Sequence, residues 1–456
     1  MSTLARRLRI TDYFTLGWGT MVGVGWLVVM DDWLLRGGAL GALLGFAIGG
    51  ALLFPIGWVY GKLVIAMPDA AGEIAYTSAV FSRPVSFATG WMMTLAYFIV
   101  CPWEAVAVGR IAGYIVPQLD SIELYRIAGR PVYLPHLVIG LTLTALLTLL
   151  NYRGIRLSAT FQNWTSFGTL ALFVVFVAVG VSRGSPHNFP PLFTHAPLVS
   201  ILLVIQIVPY FMTGFESVGK AAEEASSEFR ARDFARAIWM AIFVGILFYA
   251  SIVAAVGFVA PWHQLIGEKF MTAVAFQRAV GSRFIVNIIL AAALLSLFKC
   301  FNGNFVAASR LVFALGRRSM VDTSAGSVHL RHHTPSNAVL CIGLATAACM
   351  FLGDAILVPI TEVGSVACAL GWSAACAAFL AMGRGSASNR APFSAGERAV
   401  AAFGLLVGVA MALMKIVPFV PGHFTIYEWL ALGVWIAVGA VSYRRSTAMP
   451  QATSLS

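Results

Sequence analysis

Long apolar stretches separated by short polar ones fill the chain from residue 13 to residue 444. A continuous apolar stretch of about 18 residues or more is typical of a helix that crosses a lipid bilayer. The apolar positions are continuous and do not alternate, so the pattern favours helices over the strands of a membrane barrel. We predict twelve membrane-spanning helices, at residues 13–34, 40–66, 87–117, 133–150, 158–182, 200–222, 234–260, 283–316, 335–352, 355–382, 398–417 and 424–444.

Three connecting segments carry patterns of their own. Residues 68–85 follow the second span and predict a short segment at the membrane interface. Residues 262–280 predict an amphipathic helix outside the membrane. Residues 318–337 contain His329, His332 and His333, and we interpret them as a polar loop rather than a metal site.

The composition also indicates a membrane protein. Of the 456 residues, 59% are hydrophobic and 11% are charged, whereas a soluble domain carries about 25% charged residues. The mean hydropathy is +0.84. Arg6, Arg7 and Arg9 precede the first apolar stretch, but that stretch is long, glycine-rich and followed by another span, so we expect no cleavable signal peptide.

The net charge of +11 is better explained by membrane topology than by nucleic-acid binding. With the N-terminus in the cytoplasm, 20 of the 30 lysines and arginines fall on the cytoplasmic side, 7 on the other side and 3 within spans. This excess follows the positive-inside rule. We therefore expect a multi-pass protein of the cell membrane, the inner membrane in a bacterium, with both termini cytoplasmic and no nucleic-acid partner.

No pattern in the chain favours an enzyme or a cofactor. The six cysteines lie inside apolar stretches without metal-ligand spacing, and we expect free buried thiols. The Ser309-Arg310 pair and the scattered serines are better explained by packing than by catalysis. We therefore predict no catalytic residue, no metal site and no cofactor.

Two of the predicted spans contain residues that disfavour an unbroken helix. The first contains Gly17, Gly19, Gly23 and Gly25, and a glycine inside a helix costs roughly 1 kcal/mol relative to alanine. The sixth has the sequence Pro-Tyr-Phe-Met-Thr-Gly-Phe-Glu over residues 209–216. Close packing of helices through small residues is the alternative explanation. Broken helices at corresponding positions of two halves are typical of a transporter's binding site, because free amides hold a carboxylate and free carbonyls hold an ammonium.

These segments carry a resemblance to a known family. The segment Gly-Thr-Met-Val-Gly-Val-Gly at residues 19–25 is similar to the first-helix motif of the amino acid–polyamine–organocation superfamily. Gly214-Phe215-Glu216, with the Ala-Glu-Glu of residues 222–224 and the Arg-Ala-Ile of residues 236–238, resembles its sixth-helix motif and following loop. Residues 68–76 resemble the loop after its second helix, and Ser309-Arg310 the end of its eighth.

The resemblance implies an all-α membrane protein with the LeuT-like fold. Its twelve helices would form a 5+5 inverted repeat, with helices 1 and 6 broken and two peripheral helices after it. The implied divisions are a cytoplasmic tail at 1–12, the first repeat at 13–182, the second repeat at 200–382, the peripheral helices at 398–444 and a disordered cytoplasmic tail at 445–456.

The resemblance also implies a binding site. The amides around Val24 and Gly25 would bind a substrate carboxylate, and the carbonyls of Tyr210, Phe211 and Thr213 would bind its amine. The ring of Tyr210 would serve as an aromatic gate. The full set of expected substrate-binding residues is Thr20, Met21, Gly23, Val24, Gly25, Glu104, Tyr210, Phe211, Thr213, Gly214 and Asn304.

Ionisable residues within spans are functional candidates by default. Glu104 would contact a cationic or hydroxylated substrate or carry a proton; a structural ion pair with Lys299 is the alternative. Lys299, Glu216 and Tyr210 are expected to serve in gating or coupling. The alternative for Lys299 is snorkelling of its amino group toward the membrane interface. The alternative for Glu216 is a structural contact with a neighbouring helix. Asp31 and Asp32 are expected to face an outer vestibule, or to cap a helix end. We assign no role to Lys62.

The energy source stays open at this stage. Sodium-dependent relatives use hydroxyls on the eighth helix, where this chain has Ala307 and Ala308, and hard cations need oxygen ligands. Some sodium-independent members use a lysine on the fifth helix, where this chain has Thr169. Exchange, facilitated transport and proton coupling therefore all remain.

The sequence predicts a secondary transporter or exchanger of an amino acid, which could be cationic, working by alternating access. The alternatives are a transporter of polyamines or simple amines, and a membrane sensor or regulatory subunit that binds an amino acid without moving it. The expected partners are a small-molecule substrate and the lipid membrane; an accessory subunit is not specified.

Overall fold

The chain folds almost entirely into helices. The computed structural model describes residues 6–227, 229–383 and 393–448. The helices are α1 Ile10–Met21, α2 Gly25–Val28, α3 Met30–Ala51, α4 Leu53–Ala66, α5 Glu73–Ser78, α6 Arg83–Phe98, α7 Val100–Ile115, α8 Leu134–Arg153, α9 Ile155–Arg183, α10 Pro197–Ile205, α11 Val208–Met212, α12 Ser217–Lys220, α13 Ala231–Val259, α14 Met271–Val280, α15 Arg283–Arg317, α16 Ser336–Met350, α17 Leu357–Met382, α18 Ala395–Ile416 and α19 Ile426–Ala448. One hairpin joins β1 Glu123–Ile127 to β2 Arg130–Tyr133.

Within the described ranges, nine helical segments are long and apolar enough to cross a membrane. They are Met30–Ala66, Arg83–Ile115, Leu134–Arg153, Ile155–Arg183, Ala231–Val259, Arg283–Arg317, Pro359–Met382, Ala395–Ile416 and Ile426–Ser446. The other three predicted spans are helical but short or interrupted: the first is divided between α1, α2 and the start of α3, the sixth between α10, α11 and α12, and the ninth is the 15-residue α16.

Both interruptions that the glycines predicted are present in the backbone. The first helix stops at Met21 and resumes at Gly25, with Val22 in an extended conformation. The sixth stops at Met212, and Thr213 is extended while Gly214 has a φ of 135°. A residue with a side chain rarely adopts that φ, so glycine permits the second break. Each break leaves backbone N–H and C=O groups without helical partners.

Small residues let the interrupted helices approach their neighbours. A side-chain carbon added at Gly45 would meet Val204 of α10, and one at Gly57 would meet Ile242 of α13. Long α15 packs along α1, α6 and α9. Close approach through small residues is what holds helices together in a bilayer, where burial in lipid supplies little net drive.

The connecting segments differ in detail from the expectation. Residues 68–85 contain α5 and the start of α6, and residues 262–280 contain α14. The hairpin at 123–133 was not predicted, because two short strands in one loop give no long apolar period. In the 318–337 loop, the Nδ1 atom of His329 accepts the backbone N–H groups of residues 331 and 332. Of the predicted tails at 1–12 and 445–456, residues 1–5 and 449–456 lie outside the described residues, whereas residues 10–12 belong to α1 and residues 445–448 to α19.

Candidate functional site

A narrow cavity of about 20 Å³ lies where the two helix breaks face each other. Most of its walls come from residues that the sequence predicted for the site. Thr20, Met21, Gly23, Gly25, Glu104, Tyr210, Phe211 and Thr213 belong to that predicted set. Val100, Trp103 and Cys300 also line the cavity and were not predicted.

The amide at the first break is already occupied by a carboxylate of the chain itself. The N–H of Val24 donates to Oε1 of Glu104 at 3.2 Å. Gly23 permits this contact, because a side-chain carbon at that position would fall on the same oxygen and lie 2.9 Å from the Cys300 sulfur. Glu104 is 1% exposed, and its other oxygen, Oε2, has no hydrogen-bond partner in the described part of the chain. One buried acceptor thus remains available to a ligand.

Aromatic rings close the cavity beside Gly25. A side-chain carbon on Gly25 would lie 3.2 Å from Cδ1 of Phe211 and 3.5 Å from the Trp33 ring. Phe211 itself packs edge-on against Trp33, with ring centroids 4.8 Å apart. The ring of Tyr210 packs against Phe211 at 5.1 Å, and its buried hydroxyl has no partner among the described residues. These rings make the cavity narrow and leave one hydroxyl for a polar ligand.

Glu216 is bound to the second break. The hydroxyl of Thr213 donates to its Oε1 at 2.6 Å, and the N–H of Gly214 donates to its Oε2 at 3.1 Å. Neither Glu216 nor Gly214 lines the cavity. The Glu216 carboxylate therefore stabilises the interrupted backbone from outside the cavity. Its hydrogen bonds go to residues of the second break itself and not to a neighbouring helix.

Lys299 does not pair with Glu104. Its amino group donates to the carbonyl of Val22 and, at 3.5 Å, to that of Gly19, and it lies 4.4 Å from the centre of the Trp18 ring. No carboxylate of the described residues lies within 4.0 Å of it. The lysine thus satisfies carbonyls that the first break leaves free.

Asn304 lies outside the cavity wall and joins α15 to the end of α1. Its amide nitrogen donates to the Thr20 carbonyl at 3.0 Å and to the Cys300 carbonyl at 2.8 Å. Its oxygen is buried without a partner in the described residues. The structure therefore gives Asn304 a backbone-positioning contact, and no direct contact with the cavity.

A buried ion pair that the sequence did not predict lies below the second break. Lys220 is 1% exposed and donates to Oε1 of Glu73 at 2.7 Å; the hydroxyl of Tyr60 donates to the same oxygen at 2.7 Å. Lys220 lies four residues after Glu216, and Glu73 belongs to the segment after the second span. The signal in the sequence was that Glu73 and Lys220 each lie next to a motif segment. Because 147 residues separate the two, the sequence did not indicate that they pair.

More ion pairs surround this network. Arg310, 1% exposed, donates to Glu224 at 2.8 Å. Arg318 donates to Asp69 at 2.6 Å. Partial burial favours a higher pKa for Asp69, but the neighbouring Arg318 outweighs it, and the pKa lies below its usual value. These contacts join the C-terminal end of α15 to the segments that follow α4 and α12.

Another cluster of ion pairs joins α3, α17 and α18. Arg36 donates to Asp32 and to Glu362, each at 2.8 Å, and Lys415 also pairs with Glu362. Asp32 lies in the first turn of α3. The aspartate predicted for a vestibule is therefore held in an ion pair that connects three helices. Lys62, without a predicted role, pairs with Glu397 at the surface.

Comparison with known proteins gives one family and several distant relatives. The model of the family described as "Amino acid permease" matches residues 13–382. The chain is 23% identical over 454 residues to the methylthioribose transporter of Bacillus subtilis (strain 168), covering 97% of this chain and 93% of the relative. It is 25% identical over 376 residues to the branched-chain amino acid permease BcaP of the same organism, covering 80% and 77%.

A further relative is the aromatic amino acid transport protein AroP of Escherichia coli (strain K12), 21% identical over 354 residues, covering 76% of this chain and 74% of AroP. The matched region contains both helix breaks and every residue around the cavity. The chain, a multi-pass membrane protein, therefore belongs to the amino acid permease family.

Proposed function

We propose that this protein is a secondary transporter that moves an amino acid across the membrane by alternating access. The observation that carries the proposal is the cavity enclosed by two helix breaks. Unpaired backbone amides and carbonyls at such breaks provide dipoles of opposite sign for a zwitterion. Twelve spans in a 5+5 inverted repeat with two peripheral helices, and both termini in the cytoplasm, are part of this proposal.

The ion pairs on the two sides of the cavity support alternating access. In the proposed topology, Lys220 and Glu73 lie on the cytoplasmic side, and Arg36 and Glu362 lie on the outer side. Opening either side requires its own pairs to separate while the other set stays closed. A buried pair is costly to break when one partner stays uncompensated, so the two sets favour one open side at a time.

The names of the relatives support a small organic substrate. BcaP is named for branched-chain amino acids and AroP for aromatic amino acids. The relative that matches 97% of this chain is named for methylthioribose. The cavity of this chain is lined by Trp103, Tyr210 and Phe211, which suits an apolar side chain. We assign the amine of the substrate to the carbonyls near Thr213 and its carboxylate to the amides near Gly25.

A second candidate substrate is an amine that has no carboxylate. The specific observation in its favour is the hydrogen bond from Val24 to Glu104, because a protein carboxylate already occupies the amide that a substrate carboxylate would use. The partnerless Oε2 of Glu104 could accept an ammonium directly. An amine substrate would use the same cavity and the same alternating-access cycle. Only the substrate class would differ.

Proton coupling is part of the proposal, with Glu104 as the first candidate carrier. Both oxygens of Glu216 are engaged with the second break, whereas one oxygen of Glu104 has no partner in the described residues. Thr169 donates to the carbonyl of Thr165 on its own helix. Ala307 and Ala308 offer no side-chain oxygen for sodium.

The test is counterflow in proteoliposomes. Vesicles are loaded with one unlabelled amino acid or amine and given the labelled compound outside, without an ion gradient. Accumulation with an amino acid supports the first substrate class, and accumulation only with amines supports the second. Folded protein that accumulates no member of either class would refute the proposed function.

A further inference from the structure

A deep apolar groove lies on the membrane-facing side of the bundle, away from the cavity described above. It has a volume of about 510 Å³ and lies between α6, α15, α16 and α19. Its walls include Phe98, Leu315, Ile342, Ala345 and Val438. Such a groove is too apolar for an aqueous solute and has the width and depth to take hydrocarbon chains.

Two tryptophans bridge α6 and α19 beside the groove. The ring nitrogen of Trp91 donates to the carbonyl of Trp435 at 2.9 Å, and the ring nitrogen of Trp435 donates to the carbonyl of Trp91 at 3.1 Å. The two rings stack with centroids 4.5 Å apart. Because each indole satisfies its N–H on the opposite helix, the pair fixes the spacing of the two helices, and the groove beside them is a stable feature.

One end of the groove is basic. Arg445 lines it together with Ser442 and Ser446, and Arg445 has no hydrogen-bond or ion-pair partner among the described residues. The hydroxyl of Ser446 donates to the carbonyl of Ser319, and the Arg83 guanidinium donates to the same carbonyl at 2.6 Å. Arg83 makes no ion pair within the described ranges. This end of the groove therefore has Arg445 in its lining and Arg83 at the Ser319 carbonyl that Ser446 also contacts, and neither arginine has a carboxylate partner among the described residues.

The lining contains one acidic residue, Asp322. Its Oδ1 accepts the N–H of Ser324 at 2.8 Å, which engages it in the local turn. Its charge opposes an anion but is outnumbered by the arginines. An apolar groove between membrane helices with a basic end on the arginine-rich face is the geometry that holds an anionic headgroup, each basic residue contributing about a fivefold gain in binding near such a surface.

From this arrangement we propose that the groove binds an anionic phospholipid of the cytoplasmic leaflet. The headgroup phosphate contacts Arg445 and Arg83, and an acyl chain lies along α6 and α19 beside Trp435. The proposal rests on the proposed orientation of the chain, with the arginine-rich face in the cytoplasm, but not on the transported substrate.

The test uses native mass spectrometry of the purified full-length chain with palmitoyl-oleoyl phosphatidylglycerol or the matching phosphatidylcholine. We expect retention of the anionic lipid over the zwitterionic one. Arg445→Gln should weaken phosphatidylglycerol binding about fivefold, and adding Arg83→Gln should weaken it about fivefold more. Arg232→Gln, at an exposed position on the same face and outside the groove, is the matched control and should change nothing.

A groove-filling variant tests the acyl-chain contact separately. Ala345→Phe keeps both arginines and should lower retention of both lipids. Equal phosphatidylglycerol binding by wild type and the double arginine variant would overturn the proposal, as would an equal loss in Arg232→Gln. A lipid-free dimer formed through this face would overturn it in favour of a second copy. Lipid retention is measured without any counterflow assay. Failure of the lipid proposal can therefore be distinguished from failure of the proposed transport function.

Discussion

Replacing Glu104 by glutamine separates the two candidate substrate classes. The variant keeps one oxygen to accept the Val24 N–H, which Glu104 now accepts at 3.2 Å, and removes the negative charge. A hydrogen bond to a charged group contributes about 1.5–3 kcal/mol, and a neutral one about half of that. The substitution therefore changes mainly the electrostatics at Oε2, the oxygen without a partner in the described residues.

The direction of the change depends on the ligand. An amine that donates to Oε2 should lose about 1.5 kcal/mol, or about tenfold in affinity, because a charge-assisted bond becomes a neutral one. An amino acid whose carboxylate must lie near Glu104 should bind more tightly in the variant, because the repulsion between two carboxylates is removed.

The assay is equilibrium binding of a labelled amino acid and a labelled amine to purified protein, with counterflow as a second measurement. Glu123→Gln on the hairpin, far from the cavity, is the matched control and should bind both ligands as wild type does. Unchanged affinity for both classes in Glu104→Gln, within twofold, would refute the reasoning, since it would mean that Glu104 does not face the substrate.

Other substitutions test the walls and the closed faces. Gly25→Val should abolish saturable substrate binding, because the added carbons meet Phe211 and block the backbone. Lys220→Met should lower the free energy of unfolding in detergent by about 3–5 kcal/mol, because Glu73 is left as a buried unpaired charge; a denaturant titration measures it. Glu216→Gln should lower transport, because an amide can replace only one of the two accepting oxygens at the second break. Counterflow measured across a range of pH checks it, and a shifted pH profile would show that Glu216 carries a proton in addition to Glu104.

The first two of these predictions have matched controls. Gly433→Val, at a glycine with no atom within 4 Å of an added carbon, should leave binding intact. Lys62→Met breaks an exposed pair and should cost less than about 1 kcal/mol. Wild-type affinity in Gly25→Val would undo the site assignment. An equal loss of stability in the two lysine variants would show that burial of Lys220 is unimportant, and an unchanged pH profile in Glu216→Gln would remove it as a proton carrier.

The fold and the family followed from local features of the sequence. The lengths of the apolar stretches predicted the spans, and the glycines at 23, 25 and 214 predicted the helix breaks. Both predictions succeeded because these features are set by the local sequence rather than by distant contacts. Membership of the permease family is confirmed by the match over residues 13–382. The hairpin was missed because its strands are 5 and 4 residues long and mostly exposed.

The partners of buried charges could not be predicted in the same way. Lys299 and Glu104 were candidates for one ion pair, yet Lys299 donates to backbone carbonyls of α1 and Glu104 accepts a backbone amide. Lys220 received no role from the sequence, but it is buried against Glu73. A sequence pattern gives no information on which unpaired backbone group lies nearest to a buried charge. That choice is made by the tertiary packing.

The two helix breaks touch each other through their backbones. A side-chain carbon at Gly214 would lie 2.6 Å from the nitrogen of Met21 and 2.9 Å from the oxygen of Gly17. With no side chain between them to yield, neither break can tilt far without displacing the other. In the proposed cycle the two broken helices would therefore rock as one body, and a leak state with both sides open would require them to separate first. The absence of a β-carbon at Gly214 would then help to prevent that leak as much as any charged residue does.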